Sequence, residues 1–248
     1  MNEPIVLIGG FGSHWQDYMS FARLLRNVSG KRVYVTSINR VTWLVASFTN
    51  YHILLERLSK AVQHALQSTA ADRVVLIGHS AGGVVARSYL ADRLPISSYK
   101  PLSGYRFVSR ITMLGSPLRI DGQARHTGMR HAAWIDHEYP GSYYSQQTQY
   151  LTVYGKLIRG DRHGTAAERG AFHAYKRICG EGNVWGDGVV PNHISRLDGA
   201  PSIELDGVGH SPGWGDRWYG GDASTIRLWW SYFEQGDAPA FGGGVVTV

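Results

Sequence analysis

The chain has 248 residues, of which 43% are hydrophobic and 18% are charged, and its formal net charge is +6. This length suits one domain with a sizeable buried core, and the hydrophobic content is too high for a disordered chain. A single cysteine, Cys179, excludes an intrachain disulfide and a zinc site built on several thiolates.

The basic residues are spread along the chain, and no run of five or six occurs. This pattern indicates a solvated surface and argues against a nucleic-acid partner, leaving open a transient attraction to an anionic membrane surface. The start, MNEPIVLIGG, lacks the basic and separate apolar segments of a secretory leader, and no apolar stretch is long enough to span a membrane. We therefore expect a cytoplasmic protein, and nothing implies an obligate protein partner.

Short apolar runs alternate with segments of helical periodicity. The runs predicted as strands are 4–10, 32–38, 73–78, 108–116, 151–155 and 202–207. The segments predicted as helices are 17–26, 51–67, 81–94 and 225–233. Because the runs are continuously apolar, they are typical of strands covered on both sides. The alternation predicts an α/β fold in which a mostly parallel central sheet has helices on both faces.

Three segments depart from this alternation within a single domain of residues 1–248. Residues 118–149 are weakly periodic and rich in Gly, His, Tyr and Gln, and a structureless loop of that length is unusual unless functional, so we predict a small cap or lid. Residues 156–190 form a second excursion that is rich in glycine. The tail, 241–248, is expected to be loosely ordered.

The strongest chemical signal is the sequence IGHSAGG, which matches Gly-x-Ser-x-Gly around Ser80. An apolar run precedes it and a helical segment follows, so Ser80 is predicted to lie on a sharp strand-to-helix turn. Small residues are needed at both ends of that turn because side chains there would clash with neighbouring elements. The following helix start favours developing negative charge. This context indicates a nucleophilic serine.

With this motif the sequence resembles the α/β-hydrolase superfamily, in particular its lipase and esterase members, from Pro4 to about Phe233. In that family the nucleophile is followed in the chain by an acid and then by a histidine. The segment DGVGHSPGW places His210 after the last predicted strand, which is the position that the resemblance implies for the catalytic base. His193 is the main alternative, although it comes before that strand.

The resemblance also implies the acid. Gly-Asp-Gly-Val-Val-Pro stretches carry the triad aspartate in similar lipases, which assigns the role to Asp187. Its carboxylate would fix the tautomer of His210 and stabilise the imidazolium. Asp161, directly after the fifth predicted strand, stays open as an alternative. A Gly-Asp-Gly segment can also be an ordinary turn.

An oxyanion hole needs backbone N–H donors, and the resemblance assigns them to Ala81, after the nucleophile, and to Phe11 in the loop IGGFGSHW. The alternative for Phe11 is a glycine-rich turn that packs the ring into the core. Gly9 stands where lipases usually carry a histidine that braces this loop, so that brace is lost while the backbone donor is retained. Ser116, in LGSP, is read as structural.

Aromatic residues beside these loops predict an apolar pocket, and Trp15, Trp43, Trp185 and Trp214 are the predicted substrate contacts. No metal motif or phosphate-binding loop occurs, so no metal or cofactor is predicted. The expected activity is hydrolysis of a small-molecule or lipid ester with an apolar acyl group. An acyltransferase, thioesterase or amidase with the same triad remains an alternative, as does a non-catalytic binding module on the same fold.

Overall fold

The structure is a computed structural model that describes residues 3–48, 51–95, 101–120, 127–233 and 245–247. Its strands are β1 (Ile5–Ile8), β2 (Val33–Val35), β3 (Val74–His79), β4 (Val108–Leu114), β5 (Gln149–Lys156), β6 (Ile158–Arg159), β7 (Trp185–Gly186), β8 (Ser202–Asp206) and β9 (Val245–Thr247). Its α-helices are α1 (Met19–Ser29), α2 (Arg40–Phe48), α3 (His52–Thr69), α4 (Ala81–Leu90), α5 (Thr127–Glu138), α6 (Ala166–Cys179) and α7 (Ala223–Trp230).

The central sheet runs in the order β2-β1-β3-β4-β5-β8-β9, and every pairing of neighbouring strands described in it is parallel. Each of the six predicted strand runs overlaps one of these strands, so the predicted α/β fold is confirmed. The remaining strands, β6 and β7, form a separate antiparallel pair. The carboxyl ends of the parallel strands meet at one edge of the sheet, where ligands bind in open α/β folds.

The two faces of the sheet are covered by different helices, and β1 shows the division. Val6 and Ile8 belong to one buried cluster, which includes residues of α2, α3, α4 and α5. Ile5 and Leu7 belong to the other, which includes residues of α1 and α7. Successive side chains of a strand point to opposite faces, so a strand buried on both sides is apolar at every position. This explains the continuous run in the sequence.

The predicted cap is not a loop throughout. Its described part contains α5, whose Ala132 and Ile135 are buried in the first core cluster. The buried Arg87 of α4 binds Asp136 of α5, with 3.1 Å between Nη1 and Oδ1. This segment therefore packs onto the body of the domain from Met129 onward, while residues 121–126 lie outside the described residues.

Three residues of the segment predicted as a loose tail, Val245–Thr247, form β9, which pairs with β8. An open sheet edge presents unpaired N–H and C=O groups, and this strand bonds to those of β8. The other residues of the tail are outside the described ones.

The second excursion, 156–190, contains α6, which begins with a capping box. The Thr165 side chain accepts from the Glu168 amide, and the Glu168 carboxylate accepts from the Thr165 amide.

Candidate active site

Ser80 lies on a strained turn between β3 and α4. Its φ of 55° and ψ of −130° place a non-glycine residue at positive φ, which costs of order 1–3 kcal/mol. Two backbone hydrogen bonds hold the turn: the Ser80 amide donates to the Leu114 carbonyl at 2.8 Å, and the Gly83 amide donates to the Ser80 carbonyl at 3.0 Å. A Cβ on Gly78 would lie 2.5 Å from the Gly83 Cα, so the small residues of the motif are required by packing.

Ser80, His210 and Asp187 form one hydrogen-bonded chain. The Oγ of Ser80 is 2.9 Å from Nε2 of His210, and Nδ1 of the same ring is 2.8 Å from Oδ2 of Asp187. The His210 amide also donates to the Asp187 carbonyl at 2.8 Å, which fixes the two loops to each other. Since the carboxylate can only accept, Nδ1 carries the proton and Nε2 is free to accept one from Ser80.

Asp187 is almost fully buried, and its carboxylate receives four donors. Besides His210, the Tyr219 hydroxyl donates to Oδ2 at 2.8 Å, and the amides of Val189 and Val190 donate to Oδ1 at 3.0 and 2.7 Å. Burial alone raises the pKa of this carboxyl, but His210 and the other donors outweigh it and hold the pKa below its ordinary value. Asp187 is therefore an ionised carboxylate.

The two alternatives from the sequence lie elsewhere. Asp161 is exposed, and its Oδ1 accepts from the His163 amide at 2.9 Å in a surface turn. His193 is exposed on the short 3-10 helix Asn192–Ser195. Neither joins the hydrogen bonds that link Ser80, His210 and Asp187. Sequence spacing left these alternatives open. The choice of base depends on which histidine reaches Ser80, and the choice of acid depends on which carboxylate reaches that histidine.

The loop after β1 lies directly beside the nucleophile. A Cβ on Gly10 would be 2.8 Å from the Cβ of Ser80, so only glycine allows this approach. The amide of Gly10 is already used, since it donates to the Tyr18 hydroxyl at 2.8 Å. The next amide in the loop belongs to Phe11. Ala81 is the first residue of α4, where helix N–H groups have no acceptor within the helix.

Tyr219 belongs to this site, although the sequence gave no reason to predict it. Its hydroxyl donates to Asp187 and accepts from the Gly155 amide of β5 at 2.7 Å. Burial is the largest of the causes that hold the pKa of this phenol well above its ordinary value, so it remains a donor. Tyr219 lies in the loop between β8 and α7 and belongs to no recognisable motif. Only the fold brings its hydroxyl to the carboxylate of Asp187.

The four predicted substrate tryptophans are placed differently from one another. Trp43 is 1% exposed and belongs to the hydrophobic core, where it contacts the ring of Phe11 edge-on; this corrects its assignment as a substrate contact. Trp15 lies on the 3-10 helix Trp15–Tyr18. The ring of Trp214 packs over Gly188 in the acid loop. Trp185 is half-exposed, with the Lys156 ammonium 5.7 Å from its ring centre.

Phe11 itself is exposed at 64%, which excludes the alternative in which its ring packs into the core.

Among the described residues, no group of three or more His, Cys, Asp or Glu side chains is arranged to hold a metal ion. None of the helices in that part of the chain combines the length and apolar character needed to cross a membrane.

Residues 3–136, more than half of the chain, match the family described as "Putative serine esterase (DUF676)", and the chain belongs to that family. A novel pyrethroid hydrolase from Sphingobium faniae JZ-2 has a similar structure, with a TM-score of 0.51 at 15% identity over 96% of this chain and 98% of that one. An α/β hydrolase from the metagenome of sediments of the Mar Chica lagoon, Morocco, has a TM-score of 0.46 at 13% identity, covering 96% and 93%.

The fold and the family together make this chain an α/β hydrolase of the serine-esterase class.

Proposed function

We propose that this protein hydrolyses carboxylic esters with an apolar acyl group through an acyl-enzyme on Ser80. The observation that carries the proposal is the unbroken chain from Ser80 through His210 to Asp187, with hydrogen bonds of 2.9 and 2.8 Å. A serine hydroxyl is a weak nucleophile until a neighbouring base takes its proton, and here the base is itself oriented by a carboxylate.

In the first half of the reaction, Ser80 Oγ attacks the ester carbonyl while its proton passes to Nε2 of His210. The charge that forms on the imidazole is stabilised by Asp187, which stays ionised because four donors surround it. The tetrahedral intermediate then collapses, and His210 delivers its proton to the departing alkoxide. The alcohol leaves, and the acyl group remains on Ser80.

The carbonyl oxygen becomes negative in this step and needs donors that point at it. We assign these to the amides of Phe11 and Ala81, since Gly10 brings the first loop against Ser80 and Ala81 begins α4. The start of a helix also carries partial positive charge. Loss of one such donor costs on the order of a hundred- to thousandfold in rate.

In the second half, water attacks the acyl-enzyme with His210 as its base, and the acid is released. If an alcohol replaced water as the acceptor, the same residues would perform acyl transfer. The two reactions share every step up to the acyl-enzyme. They differ in the product that forms when an alcohol such as methanol is added, which is a methyl ester in the second case.

Exposed apolar side chains near the oxyanion loop support an apolar acyl group. Phe11 contacts Trp43 of α2, and the outer side of the same helix exposes Val41, Leu44 and Phe48, the last at 80%. Contiguous apolar surface on a soluble domain often marks a binding site. We propose that the acyl chain of the substrate lies along this surface.

The test is hydrolysis of p-nitrophenyl esters from acetate to palmitate by the wild type, by Ser80→Ala and by Ser109→Ala. Ser109 lies at the amino end of β4, far from the elbow, and is a control because its hydroxyl donates to Glu3 and to the Val74 carbonyl. We expect hydrolysis by the wild type and by Ser109→Ala, fastest on the longer chains, and background rates for Ser80→Ala. Equal rates for the wild type and Ser80→Ala would overturn the proposal.

A further inference from the structure

The loop after β1 lacks the histidine that braces it in similar lipases, and a tyrosine fills the place. A Cβ on Gly9 would lie 2.3 Å from Cε2 of Tyr18, so the space next to Gly9 is occupied by the tyrosine ring. The Tyr18 hydroxyl accepts from the Gly10 amide at 2.8 Å. The absence of a side chain at position 9 and the presence of this ring are therefore parts of one arrangement.

The hydrogen bonds continue from Tyr18 to the loop that carries His210. The Tyr18 hydroxyl is 2.6 Å from Nδ1 of His79, and Nε2 of His79 is 2.8 Å from the carbonyl oxygen of His210. A carbonyl only accepts, so Nε2 of His79 carries its proton and Nδ1 accepts from Tyr18. Each donor in this buried chain has an acceptor. The Gly10 amide donates to Tyr18, Tyr18 donates to His79, and His79 donates to the carbonyl of His210.

Burial keeps both side chains neutral. It raises the pKa of Tyr18 to about 12 and, together with the nearby His210, lowers the pKa of His79 to about 3. Neither group changes its protonation near neutral pH, so the direction of the hydrogen bonds is constant while His210 gains and loses its proton. His79 precedes the nucleophile in the elbow motif, and its ring centre is 4.9 Å from that of His210.

We propose that Tyr18 and His79 are positioning residues that fix the oxyanion loop and the backbone of His210 relative to each other. This inference rests on the proposed function of Ser80, His210 and Asp187. The amide of Phe11 follows Gly10 directly, so a shift of Gly10 moves the proposed donor. The His210 carbonyl is fixed by the same chain, and a displacement of about 1 Å in such a group can cost about a hundredfold in rate.

The first test is Tyr18→Phe, which keeps the ring against Gly9 and removes only the hydroxyl. Tyr150→Phe is the matched control, because Tyr150 is equally buried and its hydroxyl accepts one backbone amide, that of Tyr144, at the amino end of β5. We expect kcat to fall about 10- to 100-fold in Tyr18→Phe with KM within about twofold. Affinity for an alkylboronic acid, which forms a tetrahedral adduct with the nucleophilic serine, should fall in parallel. Tyr150→Phe should keep wild-type kcat and boronate affinity.

The second test compares His79→Gln with His79→Leu. The glutamine amide offers an NH2 group that donates and a carbonyl oxygen that accepts, both on one planar group, whereas leucine offers neither. The kcat of His79→Gln should be at least about tenfold higher than that of His79→Leu, since glutamine can keep its hydrogen bonds to both Tyr18 and His210. Equal kcat in the two variants, with both folded, contradicts a positioning role through hydrogen bonds.

The outcomes separate this inference from the proposed function. If the wild type shows no serine-dependent hydrolysis, the proposed function fails. If the wild type hydrolyses esters and Tyr18→Phe keeps its kcat within about twofold, only the positioning role fails. A change in KM alone, or an equal loss of kcat in Tyr18→Phe and Tyr150→Phe, also overturns the positioning role.

Discussion

The buried His131 is expected to make the protein less stable as the pH falls. Its ring lies on α5 between Tyr51 and Trp134 and is 3% exposed. The Ser88 hydroxyl donates to the Val84 carbonyl at 2.8 Å, so Nε2 of His131 donates to Ser88 Oγ at 2.9 Å, and Nδ1 has no partner among the described residues. Burial lowers the pKa of His131 from 6.5 to about 4.

The sign and size of the effect follow from this shift. Below pH 6.5 the unfolded chain binds a proton at this histidine, but the folded protein does not until about pH 4. The free energy of unfolding therefore falls by about 1.4 kcal/mol per pH unit in that interval. Between about pH 8 and about pH 5 the loss from His131 is ~2 kcal/mol. His79, with its pKa lowered to about 3, adds a similar loss.

The variant His131→Leu isolates this contribution. At about pH 8 its free energy of unfolding should be within ~1 kcal/mol of the wild type, because Ser88 keeps its bond to Val84 and an unpaired nitrogen is removed. At about pH 5 the variant should gain ~2 kcal/mol relative to the wild type. Urea denaturation at both pH values, with unchanged m-values, measures the difference. An identical difference at both pH values would refute the reasoning.

Three further substitutions test other parts of the structure. Asp187→Asn should lower kcat by about 10³- to 10⁴-fold in ester hydrolysis with the fold intact by circular dichroism, because the carboxylate no longer fixes the tautomer of His210; a loss below tenfold would contradict this. Tyr219→Phe should lower the free energy of unfolding by about 2–5 kcal/mol in urea, since it removes a charged hydrogen bond and leaves the Gly155 amide unpaired; a change under ~1 kcal/mol would count against it. Asp136→Asn should cost about 3 kcal/mol in the same assay because Arg87 stays buried without its counter-charge, and an unchanged midpoint would contradict that role.

The central sheet could be predicted because its signals are local. Strands buried on both faces are continuously apolar, as β1 and the part of β3 from Val74 to Ile77 are, and this pattern needs no knowledge of the rest of the chain. The elbow around Ser80 is also local, since the motif, the preceding strand and the following helix are adjacent in sequence. These local features alone predict that Ser80 lies at the edge of the sheet.

The surroundings of the site could not be predicted in the same way. The partner of Asp187, Tyr219, is distant in the chain, and its hydroxyl matters only because the fold brings it to the carboxylate. Trp43 was predicted to contact substrate from its neighbourhood in sequence, but helix periodicity turns it inward to the core. The segment 118–149 is predicted as a small cap or lid, but its weak periodicity does not reveal the helix α5 within it.

The positioning role of Tyr18 and His79 could not be predicted from the sequence either. The sequence revealed that Gly9 replaces a bracing histidine, yet it could not show what replaces the brace, because the answer depends on a close approach in three dimensions. The motif spacing does not show where the ring of His79 points. In the structure its Nε2 reaches the carbonyl oxygen of His210.

The most direct test of the account is to react the protein with a fluorophosphonate and to locate the adduct by peptide mass spectrometry while following ester hydrolysis. In this reaction Ser80 Oγ would bond to phosphorus and fluoride would leave. The account predicts one adduct, on the peptide that contains Ser80, formed in proportion to the loss of hydrolysis. Continued hydrolysis with Ser80 fully modified, or hydrolysis lost with the adduct on another residue, would contradict it.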